Sequence, residues 1–373
     1  MATSVTSLGM PQIRQKLDTD RVNLNDGLVD RFGRIATDLR LSLIDKCNLR
    51  CTYCMPAEGM EWLPKELLLS REEITRLVRI GVDLLGIQEL RLTGGEPLVR
   101  PDLVQIIADL TTAHPELPIS LTTNGIGLEQ KAVALREAGL ERINISLDTL
   151  DPETFKVLTR RDNLDRVLAG IKAAYAAGLA PVKINSVLMK NINDDHVVEL
   201  VSWAIANDYE LRFIEQMPLD ADRGWTREGT ITAEMIRDQI RAQYTLVPEP
   251  SPRNGAPAER YLVFDANVAE AQALNQPDSA LGTIGIIASV TEPFCQDCKR
   301  TRITAEGHVM SCLFSSTEVS LRDLLRSGAT DEQIAKMWAA AMWAKPKAHG
   351  KDTVGLAEED FVQPDRSMSA IGG

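Results

Sequence analysis

Six cysteines carry the strongest chemical signal in this sequence, and they fall into two groups of three. In the first group, Cys47, Cys51 and Cys54 follow a C-x3-C-x2-C pattern directly after a predicted strand, where a loop can wrap a compact inorganic core. Four-iron clusters ordinarily take four cysteine ligands, so three local thiolates leave one iron with an open position for a substrate. The alternatives are a zinc site completed by a distant residue and three unrelated buried thiols. The spacing favours the iron–sulfur cluster.

The second group of cysteines lies far along the chain, where Cys295, Cys298 and Cys312 follow a C-x2-C-x13-C pattern. Three thiolates again indicate an incomplete cluster with one exposed iron. A zinc site that takes His308 as its fourth ligand is the alternative. Both groups are unlike the dense cysteine spacing of a small secreted disulfide scaffold, so the cysteines predict metal binding.

Two arginines lie between the cysteines of the second group. Arg300 and Arg302 would point to the same face of a strand, because successive strand residues alternate between the two faces. Their planar guanidinium groups match the oxygens of a phosphate, although solvated surface arginines are the ordinary alternative. The pair is therefore a candidate phosphate site.

Three polar turns follow other predicted strands. Residues 94–97 read Gly-Gly-Glu-Pro, and a double glycine at a strand's end lets the backbone approach a ligand closely. Residues 122–125 read Thr-Thr-Asn-Gly and residues 146–148 read Ser-Leu-Asp. Read alone, the double-glycine turn is more often purely structural, and for the other two turns helix capping and turn chemistry explain the residues as well as ligand contact does. Combined with the cysteine triplet on the first strand, they predict one ligand site at the strand ends.

Repeated strand and helix patterns must position these residues. Helical spacing of apolar residues, as in Ile74, Leu77 and Val78, separates short apolar or β-branched runs. We therefore expect an α/β fold with a parallel sheet, built as a partial (β/α)6 TIM-like barrel, with a doubly wound sheet as the second choice. Either fold gathers chemistry at the carboxyl ends of the strands. The six predicted strands are 39–44, 89–92, 119–122, 143–147, 182–188 and 211–214.

The regular alternation of predicted strands and helices ends after Pro218, and a proline-rich stretch follows near residue 250. Strand-like runs at 261–264 and 282–288 then precede the second cysteine group. These changes predict four segments: an N-terminal arm at 1–33, a barrel at 34–217, a smaller C-terminal α+β domain that binds the second cluster and substrate at 218–350, and a tail at 351–373 that ends in Gly-Gly.

Composition narrows the class of protein further. The chain has 41 basic and 53 acidic residues, and its net charge of −12 argues against coating nucleic acid or binding an anionic membrane. A polyanionic ligand would need a local basic pocket. We expect a cytoplasmic protein, because no stretch of apolar residues is long enough for a signal peptide or a membrane span.

The first cysteine triplet together with Gly-Gly-Glu-Pro resembles the radical S-adenosylmethionine enzymes. The arrangement as a whole resembles one family among them, the GTP 3′,8-cyclases, which carry out the first step of molybdenum cofactor biosynthesis. The resemblance spans about residues 34–373. It rests on both cysteine triplets, the arginine pair, residues 38–40 (Asp-Leu-Arg), Lys183, and the terminal Gly372 and Gly373.

The resemblance implies two [4Fe–4S] clusters and S-adenosylmethionine as cofactors, with GTP as substrate. The family's cluster ligands match Cys47, Cys51, Cys54, Cys295, Cys298 and Cys312. Positions that line S-adenosylmethionine match Tyr53, Gly95, Ser146 and Met217. Positions that contact GTP match Arg40, Arg91, Thr122, Lys183, Arg300, Thr301 and Arg302, with Arg212 as a further candidate for the phosphates. Of these, the resemblance implies catalytic roles for Arg40, Arg300 and Arg302.

The resemblance also implies the reaction and its partners. A 5′-deoxyadenosyl radical would remove the C3′ hydrogen of GTP, and C3′ would then bond to C8 to give 3′,8-cyclo-7,8-dihydro-GTP. The product would pass to cyclic pyranopterin monophosphate synthase, and an electron donor would reduce the first cluster. The oligomeric state is left open, with a homodimer as the expectation.

One position departs from the family. A basic residue is usual two positions before Arg91, where this chain has Glu89. A carboxylate beside a triphosphate would repel it. We therefore expect either that Glu89 faces away from the nucleotide or that another basic group replaces the missing one.

Two competing hypotheses remain at this point. A radical enzyme that modifies peptides would also carry additional clusters after a partial barrel, but the arginine pair and the Gly-Gly end favour a nucleotide. A zinc-holding interaction protein would explain six cysteines without catalysis, but it leaves residues 94–97 unexplained.

Overall fold

The computed structural model describes residues 17–220, 222–349, 366 and 368–371. Six strands pair in parallel in the order of the chain, and helices connect each strand to the next. These elements are β1 Asp38–Ser42, α1 Arg71–Leu85, β2 Glu89–Thr93, α2 Leu103–Ala113, β3 Ile119–Thr123, α3 Ala132–Glu137, β4 Arg142–Ser146, α4 Pro152–Thr159, α5 Leu164–Ala176, β5 Val182–Leu188, α6 Val197–Ala206 and β6 Glu210–Glu215.

The order of the strands decides between the two predicted folds. A doubly wound sheet reverses its strand order part-way, whereas here β1 to β6 follow one another without reversal. This is the topology of a barrel that is closed only in part. The predicted partial barrel is confirmed, and the strands lie within two residues of their predicted bounds.

Alternation along each strand separates the core from the site. Leu39 and Leu41 of β1 are fully buried in the main hydrophobic core with Ile74 and Leu77 of α1, while Arg40 between them points to the opposite face. The helix ends are well defined, since Ser70 forms a capping box at the start of α1. The core thus lies between strands and helices, and the inner faces of the strands are left for polar side chains.

The elements after residue 218 extend this sheet at both edges. These later elements are α7 Ala233–Arg241, β7 Tyr244–Pro248, β8 Glu259–Asp265, α8 Glu270–Asn275, β9 Gly282–Ile287, β10 Arg300–Ile303, β11 His308–Met310, β12 Val319–Ser320, α9 Arg322–Arg326, α10 Asp331–Trp343 and α11 Met368–Ile371. β9 pairs in parallel with β6, and β10 pairs in parallel with β1. Among the described residues the sheet therefore has twelve strands, in the order β12-β11-β10-β1-β2-β3-β4-β5-β6-β9-β8-β7.

The predicted segments relate to this sheet as follows. The four segment bounds stay predictions, and the strands on both sides of residue 217 belong to one sheet. Most of the N-terminal arm and the terminal residues Gly372 and Gly373 lie outside the described residues. Within the described part of the chain, none of the helices combines the length and the apolar character needed to cross a membrane.

Candidate active site

The first cysteine triplet lies in the loop that leaves the carboxyl end of β1. Arginines hold this loop in shape. Arg50 Nη1 donates to the carbonyl oxygen of Cys47 at 2.8 Å, and Arg160 Nη1 donates to that of Met55 at 2.9 Å. The backbone N–H groups of Cys54 and Met55 both donate to the carbonyl oxygen of Cys51 at 2.9 Å. The loop therefore curls tightly and brings its three thiols to one place.

Residues 94 and 95 are glycines because this loop passes directly against them. A Cβ atom at Gly94, which has φ +148°, would collide with the carbonyl oxygen of Ile44, and one at Gly95 would collide with that of Asp45. The Gly95 N–H donates to the Ile44 oxygen at 2.7 Å, and the Glu96 N–H donates to the Lys46 oxygen at 2.8 Å. The Gly-Gly-Glu-Pro turn thus supports the start of the cysteine loop.

Buried acids surround the first triplet. Glu96 accepts hydrogen bonds from Thr123 Oγ1 at 2.6 Å and from the Asn124 N–H at 2.7 Å, and burial raises its pKa to about 7. Asp148 accepts from Tyr53 Oη at 2.8 Å, and burial raises its pKa to about 6. Burial together with the charge of Glu96 raises the pKa of Cys47 to about 11.

These surroundings fit a metal cluster. Burial also raises the pKa of Cys51 well above its usual range, so without a bound cation Cys47 and Cys51 stay protonated. A cluster that binds thiolates supplies the missing positive charge. The donor set and the protected loop therefore match an iron–sulfur cluster held by three cysteines.

The second triplet sits among cations. Burial raises the pKa of the Cys298 thiol, but the charges of Arg300 and Lys345 and hydrogen bonds outweigh burial and lower it to about 6. Arg34 fixes the neighbouring loop, because its Nη1 atom donates to the carbonyl oxygen of Cys295 at 2.7 Å. Cys295, Cys298 and Cys312 line one pocket. Three closely coupled thiols, one of them readily ionised, fit a second cluster.

Arginines line the interior of the barrel between the two triplets. The strand register places Arg40 beside Arg91 on one side and beside Arg302 on the other. Arg300 lies one inward position earlier on β10, and Phe294 lies 4.8 Å from its guanidinium group. Arg212 of β6 donates from Nη2 to Asn144 Oδ1 at 2.7 Å. Five guanidinium groups therefore face one enclosed space.

The electrostatics of this arginine group indicate an anion. Burial, reinforced by Arg91, lowers the pKa of Arg40 to about 9, and burial with repulsion from Arg40 lowers that of Arg302 to about 9. Burial also lowers the pKa values of Arg91 and Arg212 to about 10. The Nε atoms of Arg40 and Arg212 are buried without a hydrogen-bond partner among the described residues. A ligand with several negative charges would relieve both the repulsion and the missing hydrogen bonds.

The pocket joins both cysteine regions. Its space, with the open solvent at its mouth included, measures about 1520 Å³. The predicted site residues that line it are Arg40, Tyr53, Arg91, Thr122, Ser146, Arg212, Met217, Cys295, Cys298, Arg300, Arg302 and Cys312. One pocket therefore brings residues of the barrel strands together with the second triplet.

Two predicted GTP contacts lie differently from the rest. Thr301 is fully buried, and its Oγ1 atom accepts a hydrogen bond from Trp338 Nε1 at 2.9 Å. Its side chain therefore points away from the pocket, because it alternates with Arg300 and Arg302, and only its backbone remains for a ligand. Lys183 forms an ion pair with Glu210 at 2.7 Å, near the amino ends of the strands.

The departure at Glu89 has a structural counterpart. Glu89 is the first residue of β2, its side chain is 53% exposed, and Arg142 Nη2 lies 3.8 Å from its carboxylate. Arg142 begins the strand β4. The carboxylate is thus at the solvent-exposed end of the barrel, and a basic residue on another strand lies beside it.

A C-terminal segment reaches into the same pocket. The guanidinium group of Arg366 contacts the carboxylates of Glu306 and Glu318, with one hydrogen bond of 2.7 Å to Glu318 Oε2. Met368 lines the pocket, and the carbonyl oxygen of Ile371 accepts from Ser42 Oγ at 2.7 Å. Residues 372 and 373 follow this point directly. The segment is therefore anchored at one end and reaches β1 at the other.

Sequence reasoning missed several residues of the site. Lys345, Arg366 and Asn185 were not singled out, because a lone lysine, arginine or asparagine carries no motif. One signal was available for the arginine group: β1 reads Asp-Leu-Arg-Leu-Ser and β2 reads Glu-Leu-Arg-Leu-Thr, so both strands place an arginine at the same inward position. The repeated pattern predicts adjacent guanidinium groups once the strands are known to pair.

Comparisons with known proteins agree with this geometry. The model of the Radical SAM superfamily matches residues 41–204, and that of Molybdenum Cofactor Synthesis C matches residues 209–351. The GTP 3′,8-cyclase of Paenarthrobacter nicotinovorans is 65% identical over 93% of this chain and 97% of that protein. The chain belongs to the GTP 3′,8-cyclase family. Two further GTP 3′,8-cyclases are also similar to this chain. That of Streptomyces coelicolor is 55% identical over 93% of this chain and 96% of that protein, and that of Mycobacterium marinum is 50% identical over 99% of this chain and all of that protein.

The GTP 3′,8-cyclase family membership decides between the competing hypotheses. It confirms the prediction of a radical S-adenosylmethionine enzyme of molybdenum cofactor biosynthesis, and with it the cofactors, S-adenosylmethionine and two [4Fe–4S] clusters. The zinc-holding interaction protein and the peptide-modifying enzyme were alternatives that this finding excludes. The roles of individual side chains stay predictions.

Solved structures support the fold alone. SuiB of Streptococcus suis bound to S-adenosylmethionine superposes with a TM-score of 0.54 at 15% identity, over 82% of this chain and 68% of that chain. SuiB bound to its precursor peptide SuiA gives a TM-score of 0.55 at 14% identity, over 84% of this chain and 72% of that chain. The partial barrel with C-terminal additions is thus a known architecture.

Proposed function

We propose that this pocket converts GTP to 3′,8-cyclo-7,8-dihydro-GTP, with S-adenosylmethionine at the first triplet and the phosphates of GTP on the arginine group. The observation that carries the proposal is one pocket lined by five arginines, by Tyr53 of the first cysteine loop and by all three cysteines of the second triplet. A triphosphate is the natural ligand for such a group, because paired forks bind phosphate oxygens in fixed geometry.

The cofactor end of the pocket is assigned to residues around β1, β2, β4 and β6. Cys47, Cys51 and Cys54 would hold the first cluster, and S-adenosylmethionine would lie against Tyr53, Gly95, Ser146 and Met217. When bound, this pair of cofactors supplies a 5′-deoxyadenosyl radical that removes the C3′ hydrogen of GTP. Asp148 keeps Tyr53 in place through the hydrogen bond of 2.8 Å, so the wall of the cofactor site is rigid.

The substrate end is assigned to the arginine group and the second triplet. Arg40, Arg300 and Arg302 would hold the phosphates close to the reacting ribose, while Arg91, Thr122, Lys183 and the Thr301 backbone extend the contacts. Cys295, Cys298 and Cys312 would hold the second cluster, whose open iron takes the guanine base. Binding at both ends fixes the distance between C3′ and C8 before reaction, which favours ring closure over side reactions.

The C-terminal segment would complete the site. Arg366 anchors it, and Ile371 brings its end to Ser42 on β1, beside Arg40. The next two residues are Gly372 and Gly373, which have no side chains to clash in a narrow space. We propose that this terminus orders the arginine group and excludes water, and takes no part in the chemistry itself.

Other assignments follow from the same proposal. The product would pass to cyclic pyranopterin monophosphate synthase, and a protein electron donor would reduce the first cluster. The enzyme would act in the cytoplasm without nucleic acid or membrane partners, consistent with its net charge of −12. A homodimer stays a prediction.

An anaerobic assay tests the proposed function. The reconstituted enzyme is incubated with S-adenosylmethionine, a reductant and GTP, and 5′-deoxyadenosine and the cyclised nucleotide are counted. We expect both products, with 5′-deoxyadenosine formation dependent on iron. Zinc in place of iron, or 5′-deoxyadenosine formed while GTP is recovered unchanged, would contradict the proposal. ATP in place of GTP is the matched control for base recognition.

A further inference from the structure

Lys345 is buried beside the second cysteine triplet. It lies two residues after the end of α10 and is only 2% exposed. Its Nζ atom is 2.8 Å from the carbonyl oxygen of Arg300, 3.4 Å from that of Cys298, and 3.3 Å from Cys298 Sγ. The three N–H groups of the ammonium therefore have three acceptors, and one of these is the sulfur of a predicted cluster ligand.

The balance of charge around Lys345 points to a partner with negative charge. Burying an ammonium without compensation is unfavourable by several kcal/mol in real proteins. Among the described residues, no carboxylate forms an ion pair with Lys345, and two of its three acceptors are neutral carbonyl oxygens. The remaining acceptor is Cys298 Sγ, which carries negative charge when it binds iron.

Arg300 offers a second cation to the same sulfur. Arg300 lines the substrate pocket, where a bound nucleotide competes for its charge. Lys345 does not line that pocket and approaches Cys298 from the buried side. Its charge at the sulfur is therefore independent of substrate, whereas that of Arg300 is shared with the substrate.

We propose that Lys345 is a positioning residue for the second cluster: its ammonium donates a hydrogen bond to Cys298 Sγ, fixes that ligand, and makes the cluster easier to reduce. Hydrogen bonds to ligand sulfurs and nearby positive charge are established controls of cluster potential. The inference rests on the proposed assignment of Cys295, Cys298 and Cys312 as ligands of one cluster.

The test compares full-length holoenzymes that carry Lys345→Met, Lys345→Arg or Lys336→Met. Methionine fills similar space without charge, arginine keeps the charge, and Lys336 is an exposed residue of α10 that serves as the control. Iron content and the midpoint potential of each cluster are measured, the latter by a redox titration followed by electron paramagnetic resonance. The first cluster is the internal reference in every sample.

We expect Lys345→Met to disfavour reduction of the second cluster about tenfold, which corresponds to about 59 mV for one electron. The first cluster and the Lys336→Met protein should be unchanged, and Lys345→Arg should restore most of the potential. If Lys345→Met loses the second cluster while Lys345→Arg retains it, the positioning role is also supported.

Two results would overturn the inference. One is a fully loaded Lys345→Met protein with the parental potential, and the other is equal loss of the second cluster in the Met and Arg variants, which would indicate packing alone. Failure of the underlying assignment has a different signature. In that case Cys298→Ala retains the iron content of the parent protein.

Discussion

The two cysteine triplets share a ligand number but differ in their electrostatic surroundings. Around the first, burial and the buried acids Glu96 and Asp148 raise the thiol pKa values, to about 11 for Cys47. Around the second, Arg300 and Lys345 overcome burial and lower the pKa of Cys298 to about 6. Two groups of three cysteines thus lie in surroundings of opposite charge.

This difference matches two different tasks. Negative charge near an iron–sulfur cluster lowers its reduction potential, and positive charge raises it. A site that must deliver an electron to a sulfonium benefits from carboxylates such as Glu96. A site that must face a polyanionic nucleotide benefits from cations such as Arg300, which in the proposed assignment would serve both the cluster and the phosphates. The cysteine motif alone predicts an iron–sulfur cluster, and the charged residues around it indicate what the cluster does.

Removal of cysteine ligands gives the largest expected separation of the two triplets. Alanine at Cys47, Cys51 or Cys54 should abolish 5′-deoxyadenosine formation, because the open iron that binds S-adenosylmethionine is lost. Alanine at Cys295 or Cys298 should abolish GTP turnover while the iron of the first site remains. Iron analysis and product counting check both. Loss of all iron in the second set would show that the sites are not independent.

Charge removal within the arginine group comes next in size. Arg40→Ala and Arg302→Ala should each weaken GTP handling about ten- to a hundredfold, since a charge-assisted contact contributes roughly 1.5–3 kcal/mol. S-adenosylmethionine binding should stay near the parental value, because the proposed site of that cofactor is at the first triplet. Equilibrium binding of GTP and of S-adenosylmethionine to each variant measures this difference in affinity. Arg326→Ala, which removes an exposed arginine paired with Glu73, is the control. An equal loss of affinity for GTP and S-adenosylmethionine would contradict separate sites for the two ligands.

The sequence predicted these two sites to different extents. The β1 to β6 strands and the contiguous first triplet follow from local patterns, since strand periodicity and a loop motif lie within a few residues of each other. The pairing of β10 with β1 could not be predicted, because a strand of four residues carries no information about a partner more than 250 positions away. Lys345 and Arg366 were missed for the same reason, as their roles depend on contacts that only the folded chain creates.

The C-terminal segment contacts β1 through Ile371 and the residues around Cys312 through Arg366. Changing Arg366 should have a smaller effect on GTP cyclisation than the substitutions above. Arg366→Gln should reduce the rate of GTP cyclisation about tenfold or more, because it loses charge-assisted contacts to Glu306 and Glu318 that contribute roughly 1.5 kcal/mol each, and both clusters should stay intact. Deletion of Gly372 and Gly373, which lie outside the described residues, should reduce cyclisation further. Arg326→Gln is the matched control. If Arg366→Gln and the deletion variant both form product at the parental rate, the C-terminal segment has no role in catalysis.

The smallest effect concerns acid pH at this anchor. Burial opposes ionisation of Glu318, but the hydrogen bond from His308 and the charge of Arg366 lower its pKa below the usual 4.5. A lowered pKa in the folded state stabilises the fold above pH 4.5, and this contribution disappears as pH falls through the folded pKa. Thermal unfolding of Glu318→Gln and parental protein should therefore differ at pH 6, and the difference should shrink as pH falls below 4.5 and through the folded pKa. A gap that widens toward acid pH would contradict the assignment.

The pairing of β1 with β10 also has a consequence for synthesis of the chain. About 260 residues separate the two strands, and at roughly 5–20 residues per second a ribosome needs roughly 13–50 s to add them. During that interval one side of β1 has no strand partner, and unpaired strand edges promote aggregation. The nascent protein thus carries its first cysteine loop beside an open edge, so chaperone protection during translation should matter more to its yield than to its final stability.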